Sequence, residues 1–291
     1  MTPSTMTQTP HRYEFQIYIG DTDAYAMTYH ANYIKYYQRA LFEALLSERY
    51  ISAEDTIEFS QIVKQNFTKV AKLGDRVTIV TKTNEHSDVS VGESVSAEQE
   101  FLVNGVSMNT MSSIVCVFRK EVVATFSVAT PPVAVLSAIF PISHKCFQTR
   151  AYADLFDYNN RLSIPRVVDL FERSRNDAFG GPDKLEKLKE NGVHVIVVTI
   201  QKLRNHTLNR RNPSHGSGLE IRNRVTLSMN GKRLTFGHQL VGIPNSDVAS
   251  SDVAESAVLV ECEIVVYSVD QLTHTLKELP AAVLRELERY K

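Results

Sequence analysis

The stretch Gly20–Ala40 reads GDTDAYAMTYHANYIKYYQRA. It gathers two acids, a histidine and an asparagine into one short loop and then turns at once into a tyrosine-rich segment of helical period. Ile34, Tyr37, Leu41 and Leu45 recur at the spacing of one helix face, with Ala40 and Ala44 beside them. Asn32 stands where an N-cap belongs, so the spacing predicts a helix from about Tyr33 to Tyr50. Before the loop, Tyr13, Phe15, Ile17 and Ile19 alternate with Glu14, Gln16 and Tyr18, which predicts a half-buried strand over Tyr13–Gly20, ended by the glycine.

Downstream, Gln61–Lys69, Arg76–Thr83, Val89–Leu102 and Ser107–Arg119 are rich in Val, Ile, Thr and Ser. Gly74-Asp75 and Asn104-Gly105 punctuate them, the second being a strong hairpin signal. Strand, helix and four antiparallel strands imply an α+β design, one helix carried on a curved antiparallel sheet. Residues 120–145 change character: ATPPVAV holds paired prolines and little charge, which reads as a connector with a helical turn after Pro132.

The pattern then returns. Cys146–Ala153 is strand-like. Val167, Phe171, Ser174 and Ala178 make one face of a helix over Ile164–Phe179, begun by Ser163 and Pro165 and stopped by Gly180-Gly181-Pro182. Strands are expected at His194–His206, Leu219–Ser228, Arg233–Ile243 and Ala257–Ser268, and a C-terminal helix at Leu272–Tyr290. YYQRAL (Tyr36–Leu41) lies over LFERSR (Leu170–Arg175) at an offset of 134 residues, which carries Asp23 onto Asp157 and His30 onto Ile164. The expected plan is a disordered tail over 1–12, a first unit over 13–119, a connector over 120–145 and a second unit over 146–291.

Composition bounds the function. The 291 residues are 43% hydrophobic and 22% charged with a net charge of −1, enough for a sizeable core. Balanced charge gives no support for a nucleic-acid partner. Cys116, Cys146 and Cys262 are scattered, without metal spacing, and read as reduced thiols. No apolar run is long enough to span a membrane. The opening MTPSTMTQTP lacks an apolar core and reads as a floppy tail and not a secretory signal. A cytoplasmic location is expected, with a mitochondrial presequence the open alternative.

Asp21, Asp23, Tyr29, His30, Tyr33, Arg39 and Ala40 together form a pattern that resembles the hotdog-fold thioesterases, and within them the 4-hydroxybenzoyl-CoA thioesterase family. The resemblance spans residues 13–119 and extends over 146–268 through Asp157 and FERSR. It implies two tandem hotdog units, each a long central helix wrapped by a curved antiparallel sheet, as a covalent version of the family's dimer. It implies acyl-CoA as the substrate, and neither a metal nor an organic cofactor. The family's motif has glycines after DTDA where this chain has Tyr25, Ala26 and Met27, so the loop path or the acyl pocket differs.

Thioester hydrolysis needs an activated water or nucleophile, an oxyanion site and a place for the acyl chain. By the resemblance Asp23 is the general base or nucleophile. Amides at the start of the first helix stabilise the oxyanion, and helix and sheet enclose an apolar acyl tunnel. His30 orients water, bonds the carbonyl or fixes the loop. Tyr29, Asn32 and Tyr33 are candidate substrate contacts, Asn32 with the N-cap role beside it. Asp21 reads as a turn residue.

In the second copy Asp157, Asn159 and Asn160 form either a degenerate site or a variant one. Lys202, Arg204, Arg210 and Arg211 in KLRNHTLNRRNPSHGSG (Lys202–Gly218) are candidates for the phosphates of coenzyme A, against the plain alternative of a protective positive edge. Lys64, Lys69 and Lys72 stand in the same position. Two other functions compete. A hotdog enoyl-thioester hydratase is one, although its usual Asp and His in an Asn-Pro segment are not found. A non-catalytic acyl-CoA-binding or scaffolding protein is the other. Sheet edges that need covering lead us to expect a homo-oligomer.

Overall fold

The structure is a computed structural model that describes residues 9–22, 26–85, 93–118, 146–157, 160–209, 213–243 and 257–291. The chain divides into two compact units, Met1–Ser127 and Val128–Lys291. The connector expected over 120–145 lies outside the described residues.

In the first unit, β1 (His11–Gln16) leads through a 3-10 turn (Ile19–Asp21) to α1 (His30–Ser47). β2 (Thr56–Phe67), β3 (Arg76–Glu85), β4 (Glu93–Val103) and β5 (Val106–Phe118) follow. The strands run antiparallel in the order β1-β3-β4-β5-β2. Asn104 (φ 50°) and Gly105 (φ 77°) join β4 to β5, giving the two positive dihedrals that a two-residue hairpin requires.

Several boundaries differ from expectation: β1 begins at His11, inside the tail expected to be disordered, β2 spans Thr56–Phe67 and not Gln61–Lys69, and two more bear on the loop. β1 ends at Gln16. The Ile17 amide then donates to Asp75 O (3.0 Å) and Ile17 O accepts from Gly74 N–H (3.0 Å), and the chain curls into the 3-10 turn. That turn throws Ile19 outward to 79% exposure, away from the buried face it was assigned. α1 begins at His30 and not Tyr33, so Asn32 lies inside the first turn and Tyr29 holds the N-cap position without a side-chain capping bond.

The apolar stripe of α1 behaves as its period demands: Tyr33, Ile34, Tyr37, Leu41 and Leu45 are buried. Phe101 of β4 sits among four rings, those of Phe15, Tyr33, Tyr36 and Tyr37, with centroids 4.9–6.3 Å away. A polar seam runs beneath the helix, which the apolar-tunnel reading did not anticipate. The Tyr37 hydroxyl donates to Asn109 Oδ1 (2.9 Å), and Gln99 Nε2 donates to Tyr37 O (3.0 Å) and to Thr81 Oγ1 (3.0 Å).

The second unit comprises β6 (Phe147–Arg150), a 3-10 turn (Ala153–Leu155), α2 (Ile164–Ala178), α3 (Pro182–Glu190), β7 (Val193–Asn205), β8 (Gly218–Ser228), β9 (Arg233–Gly242), β10 (Ala257–Asp270) and α4 (Ala281–Leu287). Its antiparallel order is β7-β10-β9-β8-β6. Gly180 and Gly181 end α2 with positive φ, as expected, but Pro182 then opens α3. In PDKLEKLKE only Leu188 is buried, so the apolar period that would announce this helix is almost absent.

The C-terminal helix is shorter than expected. Asp270 Oδ1 accepts the amides of Leu272 and Thr273 (3.0 Å each) and Oδ2 pairs with Lys277 (3.0 Å), which folds this segment into a turn. Pro280 then occupies the N-cap position of α4. Among the described residues no helix is long and apolar enough to cross a membrane.

Beneath α2 lies His238, fully buried between the rings of Phe171 (4.9 Å, 10°) and Phe236 (5.8 Å, 7°). Asn223 Nδ2 donates to Ser174 Oγ (2.5 Å), leaving its Oδ1 to accept from His238 Nδ1–H (2.7 Å). Burial, helped by the Arg175 charge, holds the pKa of His238 well below its ordinary value. The unfolded chain therefore takes up a proton below about pH 6.5 that the folded chain refuses. The unfolded state binds more protons, so stability is full above that pH and falls on acidification. Thermal unfolding followed by circular dichroism between pH 7.5 and 5.5 is expected to show a steeper loss in wild type than in His238→Gln. Equal slopes would remove this assignment.

Candidate active site

The loop before α1 is tied down from several directions. Asp21 closes its own turn: Oδ2 accepts the Tyr18 amide (3.0 Å). The carbonyl of Asp21 accepts the Tyr29 amide (3.2 Å) and Asn32 Nδ2 (3.0 Å), while Lys35 Nζ donates to Asn32 Oδ1 (2.7 Å). Asn32 thus fastens the first turn of α1 to the preceding 3-10 turn, a role that replaces the expected cap. Farther along, the Thr28 amide donates to Ala71 O (2.8 Å), the Leu73 amide to Ala26 O (3.0 Å) and the Ala71 amide to the Tyr33 hydroxyl (2.8 Å).

An antiparallel bridge between Thr22 and Thr28 closes the segment that contains Asp23. Asp23 itself lies outside the described residues, as do Asn159, Arg210 and Arg211.

His30 is the first residue of α1, partly buried, with its ring 4.8 Å from that of Tyr29 at 48°. The first turn of α1 carries no acid to neutralise its amides. Tyr33 is 1% exposed, and burial lifts its pKa to about 12, so it is a neutral hydroxyl that pins residue 71. Tyr36 is buried too; burial first, and then the Asp21 carboxylate, raise its pKa above the ordinary value. The strap at 71–73 was not singled out from sequence. The Gly74-Asp75 turn beside it was visible, but its docking on the loop depends on long-range pairing.

The second unit repeats this local geometry at the same offset of 134 residues. The 3-10 turns start at Ile19 and Ala153, the helices at His30 and Ile164, and the bridges join Thr22 to Thr28 and Phe156 to Leu162. Even the amide of Ser163 donates to Leu155 O (3.0 Å), as Tyr29 does to Asp21 O. The chemistry differs. Ile164, in the place of His30, is fully buried. Asp157 Oδ1 accepts the Arg161 amide (2.8 Å), and its own amide donates to Arg161 O (2.8 Å). Asn160, at φ 58°, occupies the left-handed position of that turn and is exposed. Asp157→Ala is expected to cost about 1–2 kcal/mol of stability, read from urea midpoints; an unchanged midpoint would show that the turn does not depend on this carboxylate.

Lys202 and Arg204 are engaged elsewhere than expected. Register slips between Glu261 and Glu263 bulge β7 and place Lys202 at φ 53°. Lys202 pairs with Glu263 (3.0 Å) and Arg204 with Glu261 (3.7 Å), which also takes His206 (3.4 Å). These cross-strand pairs between β7 and β10 fit the positive-edge alternative, and both cations keep more than half of their side chains exposed.

No family model matches the sequence, and no curated protein sequence matches it. Solved structures do. The acyl-ACP thioesterase of Bacteroides thetaiotaomicron superposes with a TM-score of 0.60 at 10% identity, covering 88% of this chain and 97% of that one. The 12:0-ACP thioesterase of Umbellularia californica gives a TM-score of 0.57 at 11% identity, with 89% and 94% covered. At such identity the likeness concerns the fold: this chain has the hotdog fold of these thioesterases over nearly its whole length.

Proposed function

We propose that the chain is a tandem, double-hotdog thioesterase that hydrolyses acyl-CoA thioesters to the free acid and coenzyme A. The observation that supports this reading is the Thr22–Thr28 bridge, whose two residues flank Asp23 in sequence, set just before α1, whose first residue is His30 and whose first turn has no neutralising acid. Asp23 acts as general base, taking the proton of the attacking water as the water oxygen bonds to the thioester carbon, or attacks that carbon itself to form a mixed anhydride that water hydrolyses to the free acid after the thiolate has left. The first-turn amides of α1 hold the oxyanion. The C–S bond then breaks and the thiolate leaves to be protonated. His30 orients the water or the carbonyl. The second unit carries a degenerate site in which Asp157 is idle.

The two solved relatives carry acyl carrier protein in their names, whereas coenzyme A follows here from the resemblance to the 4-hydroxybenzoyl-CoA thioesterase family. Thiol release measured with a disulfide reagent separates these cases. Acyl-CoAs from acetyl to palmitoyl, benzoyl types, and the same acyl groups on carrier protein would be compared. Turnover on coenzyme A thioesters is expected; tight acyl-CoA binding with no turnover on any thioester would make this a binding protein. We further place the chain in the cytoplasm as a homo-oligomer. Fractionation and light scattering test these two points, and a mitochondrial pool or a monomer would overturn them.

A further inference from the structure

The second unit contains an open cleft between β6 and the outer face of α2. Arg150 ends β6. Arg166 and Arg173 lie seven residues apart, two turns along one face of α2. All three line the cleft, together with Tyr152, Asp154 and Asp169. The cleft is a shallow surface feature: its enclosed volume is about 70 Å³, well under that of a drug-sized ligand site, so it could hold a charged group and not a whole ligand. Asp169 holds Arg166 at 3.6 Å. Among the described residues, Arg150 and Arg173 have no ion pair.

The repeat makes this cluster informative. The offset of 134 residues sets Gln16, Asn32 and Arg39 of the first copy against Arg150, Arg166 and Arg173. Two neutral amides in one copy are therefore guanidiniums in the other, in the copy whose histidine position holds Ile164. Positive charge on a terminal strand has a plain role as an edge guard. An edge guard needs Arg150 alone; it does not account for two more guanidiniums on the facing helix. Three guanidiniums lining one open cleft suit the oxygens of a phosphate. The two acids limit the choice. Asp169 orients Arg166, and Asp154 offers an acceptor to a hydroxyl next to the phosphate. That combination favours a sugar phosphate over a bare polyanion.

We infer that this cleft is a binding site for a phosphomonoester or pyrophosphate group borne on a sugar, held by Arg150, Arg166 and Arg173. Such a group can come from the nucleotide end of coenzyme A, an origin that rests on the thioesterase reading, or from a free phosphorylated metabolite.

Isothermal titration of the full chain with adenosine 3′,5′-bisphosphate and with inorganic pyrophosphate, at matched ionic strength, tests the site directly. Arg166→Gln/Arg173→Gln alters two exposed side chains, and circular dichroism would check that the fold is kept. Arg224→Gln, exposed on β8, serves as the control. The bisphosphate is expected to bind, at least about tenfold more weakly in the double variant and unchanged in the control. No binding to wild type at millimolar concentration, no weakening in the double variant, or equal weakening in the control would each overturn the site.

Kinetics then separate the two sources. A rise in KM for acyl-CoA in the double variant, without a rise for the acyl-pantetheine lacking phosphates, assigns the site to coenzyme A. An unchanged KM for both, with bisphosphate binding weakened, assigns it to a free metabolite. If the chain hydrolyses no thioester, the titration still decides whether the cleft binds phosphate.

Discussion

Asp23→Asn is expected to lower kcat for thioester hydrolysis by about 10²–10⁴-fold, the range for loss of a positioned acid–base group. The side chain keeps its size and loses only its ability to take a proton or attack, so the effect should fall on kcat with the fold intact. Asp157→Asn is expected to leave turnover in place. The reason lies in the two copies of one loop. Both have the 3-10 turn, the closing bridge and the helix start at matched positions. The first presents a histidine at the helix start, and in the second the acid Asp157 binds the amide four residues on. Measuring both variants beside wild type, with thiol release as the readout, gives three distinct answers. Loss in Asp23→Asn alone supports one working site in the first copy. Loss in Asp157→Asn alone would move catalysis to the second. Full turnover in both would remove carboxylate catalysis at these positions.

The largest expected effect on stability is at Phe101. Its side chain is fully buried and its ring meets four other aromatic rings, two of them contributed by the successive α1 residues Tyr36 and Tyr37. Removing it leaves a cavity that rigid rings cannot easily fill, and Phe101→Ala is expected to cost about 3–5 kcal/mol. Leu272→Ala provides the contrast: the side chain is 88% exposed, and a change within about 0.5 kcal/mol is expected. Denaturant midpoints for the two variants check the pair. Similar midpoints would mean that the ring cluster does not hold α1 to its sheet. Because α1 carries His30, a weakened contact there should also raise the sensitivity of turnover to temperature.

Elements whose identity follows from local chemistry were legible in the residues alone. The stripe Ile34, Tyr37, Leu41, Leu45 must bury one face, and that makes α1. Asn104-Gly105 tolerates two positive φ angles, and that makes the β4–β5 hairpin. The 134-residue offset between YYQRAL and LFERSR reappears, residue for residue, in the turns, bridges and helix starts of both units. The candidate acid and histidine were legible as a motif, because chemistry of this kind leaves unusual residues close together.

The partner that each polar side chain takes came from long-range packing. Asn32 has the right chemistry for a cap, yet Asp21 O lies within its reach and holds it inside the helix. Lys202 and Arg204 look free on paper, yet the register of β7 against β10 sets glutamates beside them. α3 has a single buried leucine, too little apolar period to announce a helix, and Pro182 starts it from the turn that ends α2. The strap at 71–73 and the arginine cleft both join residues far apart in the chain. Periodicity records which face a segment buries; it carries no record of what that face, or the polar groups at its rim, will meet.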